Sequence, residues 1–154
     1  MEKTEKQKSA GAIIYYLNEK HLPVYLFLQN TLKKTYWEFP KGKIEDNENI
    51  EKTVKREVAE ETSLYNIKLI SGFKHVLRWF YRFEGKTISK EAVYLIAKIS
   101  EQEKNNVKIN EEHQKFEFMN FETAMQKLNI KANKEMLQEA NKFILKVEKQ
   151  RELF

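Results

Sequence analysis

The sequence predicts an α/β (α+β) sandwich in which helices flank a mixed β-sheet. Segments rich in β-branched and aromatic residues lie on both sides of one internal helical segment, and further helical periodicity closes the chain. Residues 9–17 form the first strand-like segment. Residues 18–21 read as a turn and 22–29 alternate as a second strand, which together make a hairpin. Residues 36–39 suggest a short strand closed by Pro40 and Gly42. Asn47 can cap a helix over 47–62, with Glu48 and Glu51 set to favour its first turn. Strand-like stretches follow at 67–73, 76–83 and 88–99, the last two joined by a turn at 84–86. A further short strand is expected at 116–121. Helices are expected at 121–128 and 133–150, where Met136, Leu137, Ala140, Phe143, Ile144 and Val147 form one apolar stripe. The polar residues 1–8 read as a loose N-terminal arm.

Several functions are excluded early. The 154 residues suit a single domain with one substantial core, and 41% hydrophobic content is too high for a disordered chain. With no Cys there is no disulfide framework, thiolate zinc site or cysteine nucleophile. The longest apolar runs, 12–17 and 24–28, are too short to span a membrane, and residues 1–8 lack the apolar stretch of a signal peptide. A cytoplasmic protein with no membrane partner is expected, and a monomer is assumed. The 28 Lys and Arg against 23 Asp and Glu give +5, a sign that suits an anionic partner and equally serves solubility.

The internal helix carries the chemistry. On a wheel of ~100° per residue, Ile50 and Val54 begin an apolar stripe whose next positions are Glu57 and Glu61. Glu60 lies on the adjoining flank, one turn from Glu57. Carboxylates that continue a buried stripe are costly to desolvate, and like charges one turn apart repel. A divalent cation removes both penalties, because clustered oxygens suit Mg²⁺ or Mn²⁺.

These residues resemble the signature of the Nudix family. Gly42, Glu48 and the run Arg56-Glu57-Val58-Ala59-Glu60-Glu61-Thr62-Ser63-Leu64 match it across the 23 residues 42–64. Ser63 stands where the family usually carries the Gly that ends the helix. The resemblance implies an α/β/α sandwich and an enzyme that hydrolyses a nucleoside diphosphate linked to a further group, with two or more Mg²⁺ or Mn²⁺ ions. It assigns Glu57, Glu60 and Glu61 to the metals, with the Gly42 carbonyl as a further ligand. Arg56 would orient the glutamates, and Glu48 would be structural. Such ions neutralise the phosphates and lower the pKa of a bound water, and a carboxylate must accept its proton. Glu57 and Glu112 are both candidates for that base, and Glu112 also for the metal site.

Beyond these positions, Ser9-Ala10-Gly11, Trp37-Glu38-Phe39-Pro40-Lys41-Gly42, Gly72-Phe73-Lys74 and Glu112-His113-Gln114 with Phe116 are similar to the asymmetrical diadenosine tetraphosphate hydrolases within that family. That resemblance implies a dinucleoside polyphosphate cut to ATP and AMP. Lys90 matches a phosphate-binding lysine there and shares a sheet face with Tyr94, four residues on. Lys41 and Lys43 flank Gly42 within reach of phosphate, although animal members often carry His in place of Lys43. His113, Gln114 and Phe116 join the substrate-binding set. Tyr81, Trp79, Tyr94, Phe116 and Phe118 are candidates to stack on adenine. His75 and His113 read as hydrogen-bonding groups and not as metal ligands. Alternative substrates are an RNA 5′ end, an inositol pyrophosphate or a nucleoside triphosphate; RNA is less favoured because no long basic run exists. A nucleotide-sensing module without turnover is the non-enzymatic alternative.

Overall fold

A computed structural model describes residues 3–153. Seven strands, β1 (Thr4–Leu17), β2 (Pro23–Asn30), β3 (Trp37–Glu38), β4 (Lys41–Lys43), β5 (Lys68–Phe83), β6 (Lys86–Lys98) and β7 (His113–Asn120), form one mixed sheet. Its order is β3-β2-β1-β6-β5, with β4 also paired to β1 and β7 to β2. The β1–β6 pair is parallel and the other pairs are antiparallel. Helix α1 (Ile50–Thr62) covers one face; α2 (Phe121–Lys127) and α3 (Lys131–Glu152) cover the other.

The alternation of β1 explains the layers. Ala10, Ala12, Ile14 and Tyr16 pack toward Val54 and Val58 of α1, whereas Ile13 and Tyr15 pack toward Met136, Leu137, Ala140 and Ile144 of α3. A strand buried on both faces is therefore apolar without interruption. Each buried Ile, Leu or Val contributes about 1.5–3 kcal/mol. The C-terminus of α3 docks through Glu148, which accepts from the Tyr15 hydroxyl (2.9 Å), Lys98 Nζ (3.0 Å) and Arg151 Nη1 (3.2 Å).

Several boundaries differ from expectation. Residues 4–8 do not form a loose arm: they begin β1 and pair with β6 from Thr4↔Thr87 to Lys8↔Glu91. Met1 and Glu2, the rest of that expected arm, lie outside the described residues. The stretches 67–73 and 76–83 are one strand, β5, whose register shifts between Ile70 and His75 around Gly72 at φ +98°. Asn49, not Asn47, caps α1. Its side chain accepts from Lys52 N at 2.8 Å, while Asn47 sits in a left-handed turn at φ 70°. A 3₁₀ helix at Glu101–Asn106 had no counterpart in the sequence reading. Among the described residues no helix is long and apolar enough to cross a membrane.

Candidate active site

The site forms where β4 passes over α1. Pro40 and Gly42 bring β4 against β1, where Gly11 allows the approach: a Cβ on Gly11 would overlap the Pro40 carbonyl and crowd the Tyr94 ring. Gly42 is equally constrained, since a Cβ there would occupy the space of the Glu57 carboxylate. Glu57 therefore lies flat on the β4 backbone.

Arg56 organises the acids. Its Nε donates to Glu48 Oε2 at 2.7 Å, and Nη2 donates to Glu48 Oε1 (2.9 Å) and the Lys43 carbonyl (2.8 Å). Its Nη1 donates to Glu57 Oε1 at 2.7 Å and reaches Glu60 Oε1 at 3.3 Å. The guanidinium holds the Glu48 carboxyl at about 2, and Glu48 also accepts from Glu45 N and the Thr53 hydroxyl. Arg56 thereby links Glu48, Glu57, Glu60 and the Lys43 carbonyl.

Glu57 and Glu61 turn inward and Glu60 does not: their side chains are 11%, 3% and 53% exposed. Burial pushes the Glu61 carboxyl up to about 9, with Glu57, Glu112 and Glu38 adding repulsion that Lys41 partly offsets. Burial also raises Glu57, against the pull of Arg56. Two buried side-chain atoms are without a hydrogen-bond partner among the described residues, Glu61 Oε2 and His113 Nδ1, and they face each other at 3.9 Å. His113 Nε2 is engaged by Glu38 Oε1 at 2.7 Å.

No three His, Asp or Glu side chains converge as a ready metal cluster among the described residues. Arg56 Nη1 bonds one oxygen of Glu57 and reaches Glu60. The residues nonetheless fit a dication. A buried carboxylate oxygen without a partner, a second buried carboxylate pressed on Gly42 and a nearby Glu60 form a hard-oxygen donor set.

The cleft has an acidic and a basic half. A cavity of about 270 Å³ is lined by Glu38, Lys41, Glu61, Glu112 and His113, among others. A second, of about 480 Å³, includes Leu77, Trp79, Lys90, Tyr94 and Ile130. Tyr36, Glu38 and Lys41 line both, so they are continuous. Lys41 and Glu112 line the first cavity, and Lys41 and Lys90 line the second. Lys43 and Lys90 also line a third cavity, beside Gly42. Tyr81 is partly exposed with Lys90 Nζ 5.5 Å from its ring centre.

Three expected substrate contacts have partners within the protein. Tyr94 is 3% exposed and packs edge-on to Phe39, so it forms the floor and offers no face for stacking. Gln114 spends its amide on the Asn30 carbonyl at 2.8 Å. Phe116 packs edge-on to Phe118, whose ring faces the α1-side core. Tyr36 and Glu38, to which the sequence assigns no role, also line the cleft. The signal for Glu38 was its place four residues before Gly42; none pointed to Tyr36.

The fold and the acidic helix define a pyrophosphohydrolase: the NUDIX domain model matches residues 6–140, and the chain belongs to that family. The chain is 30% identical over 122 residues to the mouse bis(5′-nucleosyl)-tetraphosphatase (asymmetrical), covering 78% of this chain and 80% of the mouse protein. Its fold is similar to that of a C. elegans Ap4A hydrolase binary complex, with TM-score 0.77, 24% identity, and 90% of this chain and 98% of that one covered. It is also similar to the NUDIX domain of Shewanella oneidensis NrtR complexed with ADP ribose, at TM-score 0.69 and 16% identity, covering 90% and 88% of the two chains.

Proposed function

We propose that this pyrophosphohydrolase cuts diadenosine tetraphosphate asymmetrically to ATP and AMP, using Mg²⁺ or Mn²⁺. The observation that carries this reading is the continuity of the cleft, from buried acids through Lys41 to Lys90 and the open Trp79 ring. Such a groove suits a long polyanion with a flat base at its end. The likeness to the mouse bis(5′-nucleosyl)-tetraphosphatase (asymmetrical) supports the same choice.

Glu57, Glu60, Glu61 and the Gly42 carbonyl would hold the cations, with Glu112 as a further ligand from the facing loop. Bound there, the cations supply neutralisation of the phosphates and Lewis acidity. The chain's own residues do the rest. Lys41 and Lys90 bind bridging phosphates, and Trp79, with the hairpin ring of Tyr81, receives adenine. Water adds to a phosphorus atom, the P–O bond to the leaving nucleotide breaks, and Glu57 or Glu112 takes the water proton. Arg56 keeps the carboxylates aligned.

A substrate panel with Mg²⁺, resolved by product chromatography, tests the reading. ATP and AMP from diadenosine tetraphosphate are expected. Two ADP would overturn asymmetric cleavage. Preferred turnover of 5′-triphosphorylated RNA, an inositol pyrophosphate or a nucleoside triphosphate would overturn the substrate, and tight nucleotide binding without release would replace the enzyme by a sensor.

A further inference from the structure

The buried stripe of α3 runs through Asn133, Met136, Leu137, Ala140, Ile144 and Glu148, and its two polar members differ in their partners. Glu148, at the far end, accepts from Tyr15, Lys98 and Arg151. Asn133, at the cleft end, is 8% exposed, yet its side-chain amide makes no hydrogen bond among the described residues. Buried polar groups are nearly always paired, and leaving one unpaired is costly. Of the other buried polar side chains among the described residues, Glu61 alone also makes no hydrogen bond, and the cation site proposed above accounts for it.

Asn133 lines the cavity of about 480 Å³ together with Leu77, Trp79, Lys90 and Ile130. Trp79 and Lys90 stand opposite each other on β5 and β6, two residues along from the Leu77–Ala92 pair that packs into the α3-side core. They therefore share the sheet face that α3 covers. The cavity thus has a flat ring, a cation and apolar walls, and the start of α3 adds an amide with donor and acceptor side by side.

We propose that Asn133 selects the nucleobase: its amide accepts from the 6-amino group of adenine and donates to the neighbouring ring nitrogen, N7. A stacking ring takes any base, because every base has a π-face. The amide discriminates, since adenine sets a donor beside an acceptor on that edge, whereas guanine and hypoxanthine set two acceptors there. The inference deepens the proposed reaction and rests on it for the substrate, but base preference can be measured by binding alone.

The test uses the full chain with Asn133→Leu, which approximates the side chain's size without its amide, and Asn133→Ala as a second variant that cannot crowd the cavity. Calorimetry in EDTA compares ATP with inosine triphosphate, whose base carries an oxygen in place of the amino group. Wild type should bind ATP roughly tenfold more tightly, and each variant should bind the two nucleotides within about twofold of each other, through lost ATP affinity. The melting temperature of Asn133→Leu should hold or rise, because no partner within the protein is lost. In the Mg²⁺ assay, the kcat/KM ratio of diadenosine to diinosine tetraphosphate should shrink by a similar factor. Equal affinities in wild type, binding of neither nucleotide, or a preference unchanged in both variants would overturn the inference, as would equal weakening for both nucleotides. Cleavage to ATP and AMP without any base preference would refute the role of Asn133 alone. A preference that depends on Asn133, in a protein that does not cleave diadenosine tetraphosphate, would uphold it and refute the cleavage reading.

Discussion

Glu61→Gln should stabilise the metal-free protein at alkaline pH. Burial and neighbouring acids hold the Glu61 carboxyl at about 9 in the folded chain, against an ordinary 4.5. Between those values the folded state keeps a proton that the unfolded state releases. The unfolded state therefore binds fewer protons, and stability falls as pH rises from ~4.5 toward ~9. Each pH unit is worth about 1.4 kcal/mol, so the linked loss is about 4 kcal/mol by pH 7.5. Gln keeps the shape without the titration. For a chain of this length that corresponds to roughly 8–16 °C in melting temperature. The assay is thermal unfolding in EDTA across pH 5–8.5. Wild type should lose melting temperature steadily, and the variant should lose far less. Adding Mn²⁺ should restore wild type and leave the variant nearly unmoved, because binding to the folded state alone adds stability by mass action. Parallel pH profiles in EDTA would refute the claim that Glu61 is held in an unrelieved buried site.

Other substitutions probe separate parts of the geometry. Gly42→Ala places a methyl group where the Glu57 carboxylate lies, so turnover should fall by orders of magnitude with a stability cost of about 1–3 kcal/mol, read by kinetics and urea unfolding. Glu112→Gln and Glu57→Gln should separate the proton acceptor from the ligands: the base is the one whose loss removes the acidic limb of the kcat–pH profile while Mn²⁺ affinity by calorimetry survives. Arg56→Lys should lower kcat and stability together, since an ammonium cannot reproduce contacts to Glu48, Glu57 and the Lys43 carbonyl at once. Lys90→Ala should mainly raise KM for polyphosphates, and an effect confined to melting temperature would make Lys90 structural.

The sequence disclosed some of this geometry and hid the rest for physical reasons. The helical period alone placed Glu57 and Glu61 on the buried stripe of Val54, because an α-helix fixes which residues share a face. The same wheel could not decide Glu60, whose flank position leaves its side chain half in solvent. Residues 4–8 are polar on both faces of β1, so no alternation marks them as a strand. Their order comes from backbone pairing with β6, which has no side-chain signature. Asn47 and Asn49 are equally competent caps by type, and only the left-handed turn at Asn47 selects Asn49. The Glu38–His113 bond joins residues 75 apart, brought together because β3 and β7 both pair with β2.

Ser63 shows how an atypical residue is accommodated without disturbing the acids before it. It adopts the left-handed conformation, φ 62° and ψ 22°, that the family's usual glycine would take, and its N–H still closes on the Ala59 carbonyl at 3.0 Å. A side chain in that region costs about 1 kcal/mol. Its hydroxyl offsets part of this by donating to the Lys108 carbonyl at 3.1 Å, while Lys108 N donates to the Thr62 carbonyl at 2.9 Å. The helix end is thereby pinned to the segment that runs on to Glu112 and His113. Glu61 on the helix and Glu112 on the loop, from the two segments so joined, line one cavity. The exchange of glycine for serine thus relocates part of the cap from backbone freedom to a side-chain tether between the end of α1 and Lys108.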